Sequence, residues 1–321
     1  MEMPTKQQAI ASNRDAWNDS ARHHKDSPEW QAHWCAVEHA DFSCLDETLT
    51  GVLNQVGIDG KDVVQLGCNN GRESLSLFAL GARHVVGVDQ SAAFLEQARE
   101  LGSRSPHGPE FIEADIHRLP PPLHGRFDVA LVTIGVLNWM PDIGEFFRHA
   151  SQTLKPGGAL VIYETHPFLE MFDPEAADPY ALASSYFRSE PFVQNQPIVY
   201  EGKVEQQAAP SFWFVHTLGA IFSGSSIRGS PDGTVGSAAA VAVSVDIDTV
   251  SPPNFPNTCR GVPRARGTVY PGGHITHRAG KTSSEYAFPG PTPENVSPDQ
   301  GTSAAWPVHR PRWASEPSAP P

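Results

Sequence analysis

The chain has 321 residues, 39% of them hydrophobic, which is enough for a sizeable core in one large domain or two small ones. It carries 23 Lys and Arg against 36 Asp and Glu, a net charge of −13, and the excess sits in residues 1–224, which hold 15 basic and 29 acidic side chains. Such a surface repels phosphate backbones and argues against nucleic acid as substrate or partner.

Four cysteines (Cys35, Cys44, Cys68 and Cys259) are too few for a disulfide framework and fit a reducing cytoplasm. His33, Cys35, His39 and Cys44 lie close in sequence, but their spacing matches no CxxC or HxxxH ligand pair, so no metal site is expected. No apolar run reaches membrane-spanning length, and the polar N-terminus lacks the core of a signal peptide; neither a membrane partner nor export is expected.

In chain order, residues 5–20 predict a helix, with Ile10 and Trp17 seven apart, and an aromatic and His-rich segment (His23, His24, Trp30, His33, Trp34) follows. Residues 45–56 predict a second helix with Leu45, Leu49, Val52, Leu53 and Val56 on one stripe. Residues 62–66 then read as a buried strand, Gly67, Asn69, Asn70 and Gly71 as a tight turn, residues 72–80 as a helix, and residues 84–88 as a strand ending on Asp89. A strand, a glycine-bearing turn and a helix N-terminus in that order place backbone N–H groups toward a polar ligand, and an acid at the next strand tip is placed to take two ribose hydroxyls. The ligand implied is an adenosine-containing cofactor.

Ser91 caps a helix over residues 91–101, residues 110–113 form a short strand, and Ala114, Asp115 and Ile116 follow it. Residues 126–134 make a fourth buried strand leading to GVLNWMPD, where a substrate mouth belongs. Residues 142–154 form an amphipathic helix stopped by LKPGG, which launches the fifth strand, ALVIYE. Residues 166–224 are a long excursion, in which PIVYEGKV could be a strand or hairpin arm and residues 216–222 begin a helix.

The turn is a GxNxG, not the GxGxxG of a dinucleotide site, because Arg72 occupies the place of the last glycine. It resembles the GxGxG loop of class I S-adenosylmethionine-dependent methyltransferases, and the strand-end Asp89, the post-strand Asp115 and the helix–LKPGG–strand unit resemble the same family over about residues 10–224. Two positions depart from it: Gln65 stands where the family has an acid, and Asn69, the residue that best tolerates a positive φ after glycine, replaces the middle glycine.

The resemblance implies an α/β fold: a Rossmann-like, doubly wound, mostly parallel sheet with an N-terminal helical cap over residues 1–60, a cofactor-binding domain over 61–224 and a lid insertion at about 166–212. It implies S-adenosyl-L-methionine as cofactor, held by Gln65, Gly67, Cys68, Asn69, Asn70, Gly71, Asp89, Gln90, Ala114, Asp115, Ile116, Thr133 and Ile134, with Asp115 on the adenine amino group. The acceptor is expected to be a small, neutral or hydrophobic molecule, since neither a base-methylating Pro-Pro-aromatic signature nor a Pro-Cys nucleophile is present. Tyr186, Phe187, Trp213 and His216 are candidates to line its chamber. His166, just past strand five, is the first candidate for a general base and His216 the second. The alternatives are a nicotinamide-dependent oxidoreductase and a cofactor-binding protein without catalysis.

Beyond residue 224 the rhythm of helix and strand stops. Half of the 30 prolines follow residue 230, and the composition of residues 225–321 predicts a mostly disordered tail that cannot bury enough apolar surface to offset its ordering entropy. A shift of reading frame near Gly224 would account for this, because the family closes its sheet there with an antiparallel pair of strands beside strand five. The alternative is a native low-complexity extension in which residues 238–250 supply the pairing for strand five.

Overall fold

In the computed structural model, residues 3–25, 27–173, 176–200 and 204–225 are described, together with the backbone of three strands at 240–246, 267–269 and 275–277. Contacts divide the chain into Met1–Gly280 and Lys281–Pro321. The second unit, and the disorder expected of the rest of the tail, lie outside the described residues.

Three helices come first, α1 (Lys6–Lys25), α2 (Pro28–Ala36) and α3 (Glu47–Val56). The α/β rhythm follows with β1 (Asp62–Leu66), α4 (Arg72–Ser76, continued as a 3₁₀ turn over Leu77–Leu80), β2 (His84–Asp89), α5 (Ala92–Arg104), β3 (Glu110–Glu113), β4 (Phe127–Val132), α6 (Ile143–Gln152) and β5 (Leu154–Thr165). A small hairpin of β6 (Phe192–Gln194) and β7 (Ser211–Trp213), then α7 (Leu218–Ser225), complete the side-chain-bearing part, and β8 (Ala240–Asp246), β9 (Gly267–Val269) and β10 (Ile275–His277) follow.

The main sheet has the order β10-β9-β8-β5-β4-β1-β2-β3, with β1 to β5 all parallel. This is the doubly wound, Rossmann-like α/β architecture. Alternate residues on a strand face opposite sides, so Val64, Val86 and Ala130 enter one core with Phe146, Phe147 and Leu160, while Val63, Val85 and Leu131 enter the other with Leu49, Leu53 and Val161. Burial on both faces explains why these strands read as unbroken apolar runs.

The edge of β5 differs from the closure that the family resemblance implies. β8 lies beside it in parallel for seven residues, from Ala159 against Ala240 to Thr165 against Asp246, where an antiparallel neighbour was expected. Residues 240–246 fall within the segment 238–250 that the extension alternative names.

Lys155 of the LKPGG turn acts at the opposite end of the sheet from the site. Its Nζ lies 2.9 Å from Asp62 on β1 and 2.9 Å from Asp128 on β4, and Arg83 also pairs with Asp62. This clamp holds the Asp62 carboxyl low, at about 2, through Arg83 first and Lys155 second. Around the rest of the turn the β4–β5 pairing jumps from Phe127 with Leu154 to Val129 with Ala159, so the Pro-Gly-Gly turn belongs to an irregular β5 and does not precede it.

α1 covers the carboxyl ends of the strands with a face of small side chains, Ala9, Asn13, Ala16 and Ser20, which lets it approach closely. Asn13, fully buried, accepts from the Phe212 amide at 2.7 Å and donates to the Phe212 carbonyl at 3.0 Å, adding itself to β7 as a strand neighbour would. Ser20 accepts from the Ile198 amide at 2.8 Å. The N-terminal helix and the insertion after β5 therefore form one cover. PIVYEGKV is not a strand in its described part: Pro197–Tyr200 run as irregular backbone across the site.

Candidate active site

A cavity of about 640 Å³ opens at the carboxyl ends of β1, β2 and β4, the place where ligands bind in open α/β sheets. Of the residues expected to hold a cofactor, it brings together Gly67, Asn69, Asp89, Gln90, Asp115, Ile116, Thr133 and Ile134. Gln65, Cys68, Asn70 and Gly71 stand behind that wall, and Ala114 faces an adjoining surface recess shared with Gln90 and Asp115.

The β1–α4 turn differs from expectation in one respect: its N–H groups are already used. Gly67 N and Cys68 N donate to Val88 O at 2.8 and 3.0 Å, Asn69 N to Asp89 Oδ2 at 2.8 Å, Asn70 N to Asn69 Oδ1 at 2.8 Å, and Gly71 N to Cys68 O at 2.9 Å. The turn is a rigid platform, not a set of free donors. Asn69 sits at φ 51°, as its replacement of glycine requires. Gly67, at φ +76°, has no room for a side chain, since a Cβ there would come within 2.7 Å of Val136 on the loop after β4.

Asp89 accepts from Asn69 N on one oxygen and from Ser91 N at 2.9 Å on the other, so each oxygen keeps a lone pair for a further donor. Burial pushes its carboxyl up, and the backbone N–H groups of Ser91, Asn69 and Gln90 around it work against that. Asp115 accepts from the His117 amide at 2.9 Å and faces His117 Nδ1 at 3.2 Å, both on Oδ1. Burial works against its charge, but the bonds and charge of His117 prevail and hold the carboxyl below its ordinary value.

The departure at Gln65 has a structural reason. Its side chain is 0% exposed, Ser74 Oγ donates to its Oε1, and its Nε2 donates to Thr133 Oγ1 at 3.3 Å. It ties α4 and β4 to β1 and does not meet the cavity.

The remaining wall is aromatic. Trp17 of α1 packs edge-on against Trp139 at 5.3 Å, and Trp139 against Trp213 of β7 at 4.8 Å. Trp213 Nε1 donates to Glu170 at 2.8 Å, and Tyr200 closes one side, 6.5 Å from Trp17. Tyr163 of β5 donates its hydroxyl to Asp46, the N-cap of α3, and both line the cavity. The other chamber candidates lie elsewhere: the Tyr186 hydroxyl accepts from Leu218 N at 2.8 Å, and Phe187 is 81% exposed.

Neither histidine expected as a base lines the cavity. His166 caps the 3₁₀ turn after β5, its Nδ1 accepting from Phe168 N at 3.0 Å. His216 donates through Nε2 to Met140 O at 2.9 Å and lines a separate narrow crevice with Glu164 and Glu170. Burial lowers the pKa of both rings.

Sequence reasoning missed Asp46, Arg72, Glu73 and Tyr163 as cavity residues, and residues 198–200 as its roof. Among the described residues, no group of three His, Cys, Asp or Glu side chains is placed to hold a metal ion.

The family model described as "Methyltransferase domain" matches residues 64–162, which run from β1 into β5. The chain carries a class I S-adenosylmethionine-dependent methyltransferase domain. Among curated proteins, the chain is 36% identical over 110 residues to ribosomal protein L11 methyltransferase of Marinobacter nauticus, covering 34% of this chain and 35% of that protein. It is 31% identical over 121 residues to trans-aconitate 2-methyltransferase of Escherichia coli O157:H7, covering 37% and 45%. The chain thus spans well under two thirds of the length of these relatives. A solved S-adenosylmethionine dependent methyltransferase from Mesorhizobium loti aligns at 21% identity with a TM-score of 0.37, covering 55% of this chain and 77% of that one.

Proposed function

We propose that this protein transfers a methyl group from S-adenosyl-L-methionine to a small-molecule acceptor. The observation that carries the reading is a single cavity in which two strand-end carboxylates, Asp89 and Asp115, adjoin a wall of three tryptophans. At about 640 Å³ it falls in the range of small-molecule sites.

The residues fit the cofactor. Asp89 keeps a lone pair on each oxygen for the two ribose hydroxyls, and Asp115 keeps Oδ2 for the adenine amino group. Gly67, Gln90, Ile116, Thr133 and Ile134 complete that half of the cavity. A predominantly acidic wall suits a molecule that carries a sulfonium. When bound, the cofactor supplies an electrophilic methyl group.

The chain's own part is placement. The turn from Gly67 to Gly71, with its N–H groups saturated, fixes one wall, and the loop after β4 fixes the other, because Glu164 accepts from Gly135 N at 2.6 Å and Leu137 N at 3.3 Å. α1 and residues 198–200 roof the site. Holding two reactants in line is worth roughly 7–11 kcal/mol of a transfer barrier at best, so positioning without a dedicated base is an adequate mechanism. The expectation of His166 or His216 as base gains no support from a position outside the cavity.

The test is calorimetric titration with S-adenosyl-L-methionine and with NAD, followed by mass spectrometry of cell extract incubated with protein and cofactor. A methylated small molecule is the expected result. Binding of NAD alone would mean an oxidoreductase, and cofactor binding with no methylated product would leave a binding protein.

A further inference from the structure

Among the described residues, the cavity wall carries four carboxylates, Asp46, Glu73, Asp89 and Asp115, against one permanent cation, Arg72. That cation is already engaged. Arg72 pairs with Glu29 of α2 through Nη1, donates from Nε to Glu73 at 2.9 Å, and holds its guanidinium 5.8 Å from the centre of the Tyr200 ring. The guanidinium is two-sided in its partners and one-sided in its consequence: two acids surround it, so this cluster is net negative. The other titratable groups on the wall do not change the sign. His117 is turned to Asp115, the Cys44 thiol is pushed up to about 12 by burial, and Tyr163 donates its hydroxyl to Asp46.

An acceptor bearing a carboxylate would therefore enter a space whose described wall offers no unpaired cation and several anions. A positively charged or basic acceptor meets the reverse: carboxylates at the margin and the π-surfaces of Trp17, Trp139, Trp213 and Tyr200, which attract cations. Given the methyl-transfer reading above, on which this rests, we infer that the acceptor is an organic amine with an apolar body, and that the Glu29–Arg72–Glu73 cluster is the specificity element that turns carboxylate acceptors away.

The chemistry balances without further reagents. An ammonium acceptor first releases one proton to solvent. The nitrogen lone pair of the free amine then forms the N–C bond while the S–C electron pair passes to sulfur, giving a methylammonium and a neutral thioether. Positive charge moves from sulfur to nitrogen inside one acidic, aromatic cavity. The same wall that stabilises it at the start stabilises it at the end, so the transfer itself creates no uncompensated charge, and once the proton has been lost to solvent no base acts in that step.

Three ligands that share a 2-phenylethyl body read the charge preference: 2-phenylethylamine, 2-phenylethanol and 3-phenylpropionate, each titrated calorimetrically into the protein, both free and saturated with S-adenosylhomocysteine. The expected order is amine, then alcohol, then acid, with the amine favoured over the acid by about tenfold or more and the gap narrowing in high salt. Undetectable amine binding in both states, equal affinities for the three, or tightest binding of the acid overturns the inference.

The double substitution Glu29→Gln with Glu73→Gln frees Arg72 and should move the order toward the acid. An unchanged order in a double variant of normal melting temperature removes the cluster from specificity. Failure of S-adenosylhomocysteine itself to bind counts against the methyl-transfer reading, whereas the order measured on the free protein decides the charge preference independently.

Discussion

The two halves of the cavity are built in opposite ways. In the cofactor half, the contacts that matter are close in sequence: Asn69 N reaches Asp89 across 20 residues, and Asp115 and His117 are two apart. In the acceptor half they are among the most distant of the described residues. Asn13 reaches Phe212 across 199 residues, Ser20 reaches Ile198 across 178, and Trp17, Trp139 and Trp213 meet from three separate segments. A part common to many enzymes can be carried by one short βαβ unit, while the part that discriminates among acceptors is closed only when the chain's first helix and its insertion dock. Loss of an acceptor-half contact should then spare the cofactor half, and the reverse.

The strongest test of that separation is Gly67→Val. The position combines φ +76° with a Cβ site 2.7 Å from Val136, so strain and overpacking together amount to roughly 4 kcal/mol borne by the turn itself. Cofactor affinity should fall about a thousandfold by calorimetry, with far-UV circular dichroism unchanged. Asp89→Ala comes next. Two ribose contacts to a carboxylate are worth roughly 1.5–3 kcal/mol each, so a drop of about a hundredfold or more is expected. Asp89→Asn, which keeps one acceptor oxygen, should recover part of it. Retained affinity in Asp89→Ala would remove this carboxylate from the cofactor site.

The same contrast explains what could be read in the sequence. Asp89, Asp115 and the GxNxG turn were legible because strand ends and tight turns fix the direction of a residue from its immediate neighbours. The doubly wound sheet was legible because β1, β2, β4 and β5 are buried on both faces and read as apolar runs. His166 and His216 show the limit: proximity to the end of β5 gives a position, but only the bonds to Phe168 N and Met140 O show where each ring points. The occupied N–H groups of the turn were likewise invisible, since their partners Val88 and Asp89 belong to the next strand. α2 had only its Ser27 cap and Pro28 as signals, within a segment with no clear apolar stripe. β8 lies within residues 238–250, the segment read as the alternative pairing for strand five, yet no local feature makes it parallel to β5.

Asn13→Ala probes the other half. The Phe212 N–H and C=O would both lose their partner in a fully buried place, which costs about 2 kcal/mol. The loss should appear as faster hydrogen exchange in residues 211–214 and in α1, with cofactor affinity within about twofold of the parent. A parallel collapse of cofactor binding would show that the halves fold as one unit and that the contrast is only one of sequence distance.

The smallest effect is expected at the seam between the halves. Glu164, at the end of β5 and 4% exposed, accepts N–H groups from Gly135, Leu137 and Thr165, and burial pushes its carboxyl up to about 7 against those bonds. An unfolded glutamate titrates near 4.5, so between those values the folded chain holds a proton that the unfolded chain has lost. Folding stability from this group therefore falls as pH rises from about 5 to 7, by up to roughly 1 kcal/mol per pH unit, and is flat above. Urea unfolding at pH 5, 6 and 7 should show that slope in the parent and not in Glu164→Gln, whose amide cannot titrate. Because the carboxylate steadies the Gly135–Leu137 loop that both halves share, the pH dependence should appear in cofactor and acceptor affinity alike. Identical slopes in parent and variant would mean that Glu164 stays charged throughout, held by its three backbone donors.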